Sequence, residues 1–177
     1  QKEEEFTRAE TLALFDYLRK SWSQGFVVSL SGGADSAAVA TLCALVVHRA
    51  IGSIGLEGLK KKLPHIRPMQ DLEDPEEIVS KLLTCAYQAT ANSGDVTRTA
   101  AREVAGALGA TYKELDVDAL VNGYVSIIEE ALGRKLTWEQ DDVTLQNIQA
   151  RTRAPSIWML ANIKNALLLS TSNRSEA

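Results

Sequence analysis

The sequence predicts an α/β fold, a doubly wound parallel sheet with helices on both faces. Three observations predict it. Four short apolar runs, FVVSL (26–30), KLLTCAY (81–87), YKELDV (112–117) and ALLLST (166–171), have the length of strands and are too short for helices of their own. Segments of helical periodicity lie between them, and parallel neighbours require such crossovers. The polar stretches SGGADS (31–36), YQATANSGD (87–95) and TSNRSE (171–176) follow the carboxyl ends of three of these runs. Open parallel sheets bind their ligands beyond those ends.

Residues 4–20 place Phe6, Ala9, Leu12, Ala13, Phe15 and Leu18 at mixed three- and four-residue spacings, an amphipathic helix. After the first strand, 34 to about 49 is helical and apolar on several sides, hence well buried. Residues 51–80 carry three glycines, three of the four prolines and the cluster Lys60, Lys61, Lys62. They are expected to form an inserted, partly helical excursion with the lysines on a solvated face. Gly94 and Asp95 open a helix to about Leu108, closed by Gly109. Residues 118–132 form another, ended by Gly133. The longest helix runs from 143 to about 164, with Pro155 placed to kink or break it.

Composition narrows the function classes. At 177 residues the chain is expected to form one domain, with an ordinary apolar share of 45%. Net charge is −4 and no long basic run exists, which disfavours a nucleic-acid partner. No run of about 18 apolar residues is seen and the start QKEEEF is unlike a signal peptide, so no membrane span and a cytoplasmic setting are expected. Cys43 and Cys85 lie in apolar runs and read as reduced core thiols. His48 and His65 lack a second metal ligand at a recognisable spacing. The first residue is Gln, which suits a piece of something longer or a processed product.

The stretch SGGADS carries the chemistry. Gly32 and Gly33 remove side chains where backbone N–H groups must approach an anion, and Ser31 and Ser36 add hydroxyls. The following helix aims its positive amino end at the same point. Neither a Walker lysine nor a GxGxxG run is present. Asp35 would repel a bare phosphate, and a Mg²⁺ ion between them resolves that. The plainer alternative is a tight strand–helix turn with Asp35 as the helix cap.

Strand, SGGxDS and helix resemble the pyrophosphate loop of the ATP pyrophosphatase superfamily. "NIQARTRAPSIWMLANIKNALLLSTSNRSEA" and "YQATANSGDVTRTAAREVAGALGA" are similar to the NAD synthetase family within it, especially its glutamine-dependent branch. The resemblance implies an adenine nucleotide alpha hydrolase-like fold, a Rossmann-like three-layer sandwich. It implies that ATP activates the carboxylate of deamido-NAD, and that ammonia, free or from glutamine, converts it to the amide. Ser31, Gly32, Gly33, Asp35 and Ser36 would hold the pyrophosphate of ATP, with Asp35 and Glu176 on Mg²⁺. Thr171 would contact ATP, Arg151 would lie near deamido-NAD and the nucleotide phosphates, and Tyr87 and Gln88 would lie near the adenine. A homodimer and an upstream glutaminase domain are further implications.

The residues alone leave plainer roles open. Arg151 and Arg153 could be a solvated helix edge and Glu176 an exposed acid. Trp158 and Met159 are expected in the core. Family members continue past the SE pair with a glycine-rich and a lysine-bearing segment, so the 177 residues read as truncated at the C-terminus. Two competing functions are another amidating ATP pyrophosphatase, such as a GMP synthetase or a tRNA-modifying enzyme, and a nucleotide-binding module without turnover.

Overall fold

A computed structural model describes residues 2–171. Its elements are α1 (Lys2–Ser21), β1 (Phe26–Ser29), α2 (Ala34–Lys62), a 3₁₀ turn (Arg67–Met69), α3 (Pro75–Leu82), β2 (Leu83–Ala89), α4 (Asp95–Ala107), β3 (Thr111–Asp116), α5 (Asp118–Leu132), α6 (Trp138–Lys164) and β4 (Leu167–Leu169). The four strands form one parallel sheet in the order β3-β2-β1-β4. The register sets Phe26 beside Leu83 and Leu167, and Thr84 beside Thr111.

Side-chain alternation along the strands divides the core in two. Phe26, Val28 and Leu30 of the first strand segment, with Leu83, Cys85 and Tyr87 of β2, face α1, α2, α3 and α4. Val27 and Ala86 face the other way, onto Ile157 and Ala161 of α6. Phe26, Val27, Val28 and Leu30 are each at most 2% exposed, so each contributes about 1.5–3 kcal/mol of burial. This first strand is therefore a rigid base for the loop that leaves it.

Two glycines shape the frame by necessity. Gly25 enters β1 at φ +150°, and a Cβ there would lie 2.3 Å from the Leu82 carbonyl oxygen. Gly133 ends α5 in the left-handed region at φ +65°.

Several expectations are corrected. The helix after the first loop does not end near 49 but runs to Lys62, with one non-helical residue, Gly55 (φ +73°). A glycine breaks the hydrogen-bond ladder locally, and Leu56, Leu59 and Leu63 then rejoin the core. Lys60 is not on a solvated face: its side chain is only 13% exposed, beside Glu57 at 3.6 Å. Lys61 and Lys62 are exposed. The longest helix begins at Trp138, with its irregular residue at Asp141, and passes Pro155 without a break. Trp158 and Met159 are 64% and 62% exposed rather than core, because Ile157 and Ala161 define the face of α6 that meets the sheet.

By length and mean hydropathy α2 is apolar enough to cross a membrane, although Thr, His, Arg, Gly and Ser interrupt its apolar residues. Here Ala40, Cys43, Ala44, Val46 and Val47 pack into the core beside the sheet. Both cysteines are free and buried, and burial pushes the Cys85 thiol up to about 12 and Cys43 higher still. His48 is exposed, and His65 packs on Trp22 with Nε2 3.0 Å from the Ser23 carbonyl oxygen.

Candidate nucleotide site at the strand ends

The strand order creates the site. From β1 the chain moves outward to β2 and β3, then crosses back to place β4 on the far side of β1. The connections after β1 and β3 thus lie on opposite faces of the sheet, α2 on one and α6 on the other. A crevice opens where the winding reverses, beyond the carboxyl ends of β1 and β4. It has a volume of about 390 Å³ and is lined by Ser31, Gly33, Ala34, Asp35, Ser36, Ser170 and Thr171. The structure therefore brings Thr171 together with the glycine loop, although 135 residues of sequence separate it from Ser36.

Within the loop the two glycines do different work. Gly32 sits at φ +83° against the start of α4: a Cβ there would lie 2.5 Å from the Thr97 carbonyl oxygen and 2.8 Å from Thr97 Cα. Its lack of a side chain is a packing requirement. Gly33 has an ordinary extended backbone (φ −95°, ψ 166°), and a Cβ there would meet only Ser31 Oγ, at 3.3 Å. Nothing in the fold demands glycine at 33.

Ser36 pins the loop. It is 2% exposed, its hydroxyl donates to the Gly33 carbonyl (3.1 Å), and it accepts from the Ser31 N–H (3.2 Å). Ser31 Oγ accepts from the Gly33 N–H at 3.2 Å. Gly33 is the N-cap of α2 and offers no side-chain cap. The first intrahelical bond runs from Ala37 N–H to the Gly33 carbonyl, leaving the amides of Ala34, Asp35 and Ser36 as first-turn donors without a helical partner. Asp35 is exposed in the first turn and is not the cap, which removes the plainer explanation for its presence. Uncapped amides, the positive end of a long helix and one exposed carboxylate suit a phosphate accompanied by a divalent cation.

Tyr87 is 4% exposed, with its hydroxyl 2.9 Å from Thr97 Oγ1. Gln88 is also 4% exposed and spans two elements: Ser29 Oγ donates to its Oε1 (2.5 Å) and its Nε2 donates to the Arg153 carbonyl (2.8 Å). Both side chains already have structural partners. Arg151 is exposed on α6, one turn from exposed Asn147. Because Gln88 at the carboxyl end of β2 holds residue 153, and α6 runs down to the start of β4, the preceding turns rise beyond the strand ends. Arg153 is half-buried, with Nε unpaired. Glu176 lies outside the described residues. Among the described residues no group of three or more His, Cys, Asp or Glu side chains converges as a metal cage. Mg²⁺ needs no such cage when it uses one or two carboxylates and phosphate oxygens.

Sequence reasoning missed Ser29, Thr97 and Ser170. Ser29 carries a usable signal, a hydroxyl on the strand face of Val27, two residues before the loop. Thr97 and Ser170 carry none that separates them from ordinary helix and strand ends.

Comparison with known proteins adds independent weight. A glutamine-dependent NAD(+) synthetase from Oryza sativa subsp. indica is 32% identical over 172 residues, covering 91% of this chain and 23% of that protein. The crystal structure of a glutamine-dependent NAD(+) synthetase from Cytophaga hutchinsonii superposes with a TM-score of 0.91 at 48% identity, over 99% of this chain and 32% of that one. The Acinetobacter baumannii glutamine-dependent enzyme, solved with adenosine diphosphate, shares the fold at 22% identity (TM-score 0.70; 99% of this chain, 27% of that one). The chain thus spans about a quarter to a third of the length of these relatives. The family model for NAD synthase matches residues 6–177, and the chain belongs to that family.

Proposed function

We propose that the chain supplies the ATP-handling part of an enzyme that amidates deamido-NAD to NAD. The observation that carries this reading is the uncapped first turn of α2, with Asp35 exposed beside it, in the crevice between β1 and β4. Membership of the NAD synthase family supports the choice of acceptor.

The residues divide the work. Amides of Ala34, Asp35 and Ser36 bind the phosphate chain of ATP, and the Ser31–Ser36 pair holds the loop in the shape that presents them. Gly33 keeps the approach clear, and Thr171 closes the crevice from β4. Asp35 and Glu176 would hold Mg²⁺, which supplies neutralisation of the charge that grows on departing pyrophosphate. The nicotinate carboxylate oxygen bonds to the α-phosphorus of ATP as the bond to the bridging oxygen of pyrophosphate breaks. Ammonia then bonds to the activated carbonyl carbon, AMP leaves with the former carboxylate oxygen, and the nitrogen loses a proton. Positioning and fixed dipoles provide most of the acceleration, and no nucleophilic side chain is required. Arg151 orients an anionic group of the dinucleotide from above the strand ends.

The nitrogen donor is ammonia, delivered from glutamine by a separate glutaminase region, in a cytoplasmic enzyme. A homodimer completes the proposal. Leu120, Tyr124, Ile127 and Ile128 are 46–63% exposed and lie at helical spacing on one face of α5, an apolar stripe that a second copy would cover. Sedimentation at micromolar concentration tests this part, and a monomer mass removes it.

The central experiment incubates the full-length protein with ATP, Mg²⁺, ammonia and either deamido-NAD or XMP, and identifies the products by mass. NAD, AMP and pyrophosphate are expected in the first mixture alone. GMP in the second would name a different amidating enzyme. ATP binding without pyrophosphate release in either would reduce the protein to a binding module.

A further inference from the structure

We infer that Gln88 is a positioning residue: it fixes the turn of α6 that carries Arg151 beyond the strand ends, rather than reading the adenine of ATP. The inference rests on the proposed function for its catalytic consequence, but the tether itself is a matter of geometry. Gln88 is 4% exposed at the carboxyl end of β2. The Arg153 carbonyl can only accept, so the amide nitrogen must face it, at 2.8 Å. The amide oxygen then faces Ser29 Oγ, 2.5 Å away, which donates. One N–H and one oxygen lone pair of this buried amide are thus committed to Arg153 and Ser29.

Why α6 needs this tether follows from its sequence. Its apolar anchors on the sheet, Ile157, Leu160 and Ala161, all lie toward its carboxyl end. Pro155 has no N–H, so the carbonyl of Arg151 loses its intrahelical donor. The hydrogen-bond ladder is thus missing a rung at the turn whose orientation matters for Arg151. Gln88 grips the helix two residues further on, at Arg153, where the Ser156 hydroxyl also donates to the same carbonyl (3.0 Å). Ser29 stands two residues before Ser31. One chain of hydrogen bonds therefore links the strand that launches the phosphate loop to the helix that carries the arginine.

The test uses two variants in the full-length protein, Gln88→Glu and Gln88→Met. Gln88→Met keeps the approximate shape and removes both bonds. Gln88→Glu, when ionised, faces the Arg153 carbonyl with an acceptor. When protonated it can donate again, and burial raises the pH at which that happens. We expect KM for the dinucleotide substrate to rise roughly tenfold in both at pH 8, with KM for ATP within about twofold of the parent. The Glu variant should recover as pH falls, and the Met variant should not. Amide hydrogen exchange should quicken through 147–156 and stay unchanged through 157–164. That measurement needs no turnover, so it separates failure of the tether from failure of the assigned reaction. Unchanged exchange in 147–156 overturns the inference. So does a rise in KM for ATP with the dinucleotide KM unaltered, which would make Gln88 an adenine contact.

Discussion

Replacing each loop glycine by alanine separates what the fold requires from what the ligand requires. At Gly32 an L-residue would have to occupy φ +83°, at a cost of roughly 1–2 kcal/mol. Its Cβ would also stand 2.5 Å from the Thr97 carbonyl oxygen and 2.8 Å from Thr97 Cα, backbone atoms that cannot rotate aside. Forcing the loop and α4 apart adds about 1–3 kcal/mol. Gly32→Ala should therefore destabilise by about 2–5 kcal/mol, a large share of the roughly 5–15 kcal/mol that holds a domain together. Gly33→Ala meets only Ser31 Oγ at 3.3 Å from an ordinary backbone and should cost under about 1 kcal/mol. Its methyl group, however, would stand beside the first-turn amides in the crevice. Urea unfolding followed by circular dichroism measures the first effect, and titration with ATP and Mg²⁺ the second. The expected pattern is an unstable Gly32→Ala and a stable Gly33→Ala that has lost nucleotide affinity. Equal stability of the two variants would refute the close-approach argument, and parental ATP affinity in Gly33→Ala would refute the reading of the crevice.

Asp35→Asn should abolish Mg²⁺-dependent pyrophosphate release, because a neutral amide gives up the negative charge that would hold the cation beside the phosphates. The urea midpoint should hardly move, since Asp35 is exposed and does not cap α2; normal turnover would remove the residue from the mechanism. A pH effect is expected at the opposite end of the chain. The Arg134 guanidinium, bonded to both carboxylate oxygens of Asp141 at 2.7 and 2.8 Å, and then the Thr137 N–H, hold the Asp141 carboxyl down at about 2. The unfolded value is about 3.9, so the folded value is depressed and the stabilisation is complete above that value. It is lost as pH falls through about 2. Asp141→Asn should thus lower the urea midpoint at pH 7, and the gap from the parent should shrink to a small remainder by pH 2; a gap still at its pH 7 size there contradicts the pairing.

Much of the frame was readable because its signals are local. Val117 to Gly133 is one such case: the run of residues 118–132 and its glycine stop appear in the structure with the same bounds. The strand FVVSL needs only its β-branched, apolar content to be seen. What sequence could not show is which neighbour a residue meets. The glycines and prolines of 51–80 read as an excursion beyond a helix ending near 49, yet Leu56, Leu59 and Leu63 find the core and the helix resumes past Gly55. Trp158 and Met159 are apolar but stand on the side of α6 away from the sheet. At the site, the pairing of Thr171 with the glycine loop depended on β4 lying beside β1, which only the strand order fixes. Gln88 was visible as a polar residue at a strand end, but its amide is committed to Ser29 and to the Arg153 carbonyl across 65 residues.

That commitment bears on how the site can work. Under the proposed function, two bound nucleotides would react only with the anion cradle and the arginine held at a fixed separation, because small misplacements are costly in rate. The cradle belongs to β1 and α2, and the arginine belongs to a helix on the opposite face of the sheet. No single helix or loop could set the distance between them. The sheet does, with β1 shared by both layers: Val28 and Leu30 secure the α2 side, Val27 packs on the α6 side, and Ser29 joins the latter through Gln88. Loosening β1 should therefore disturb binding of both substrates together, whereas loosening the Gln88 link should disturb the dinucleotide alone.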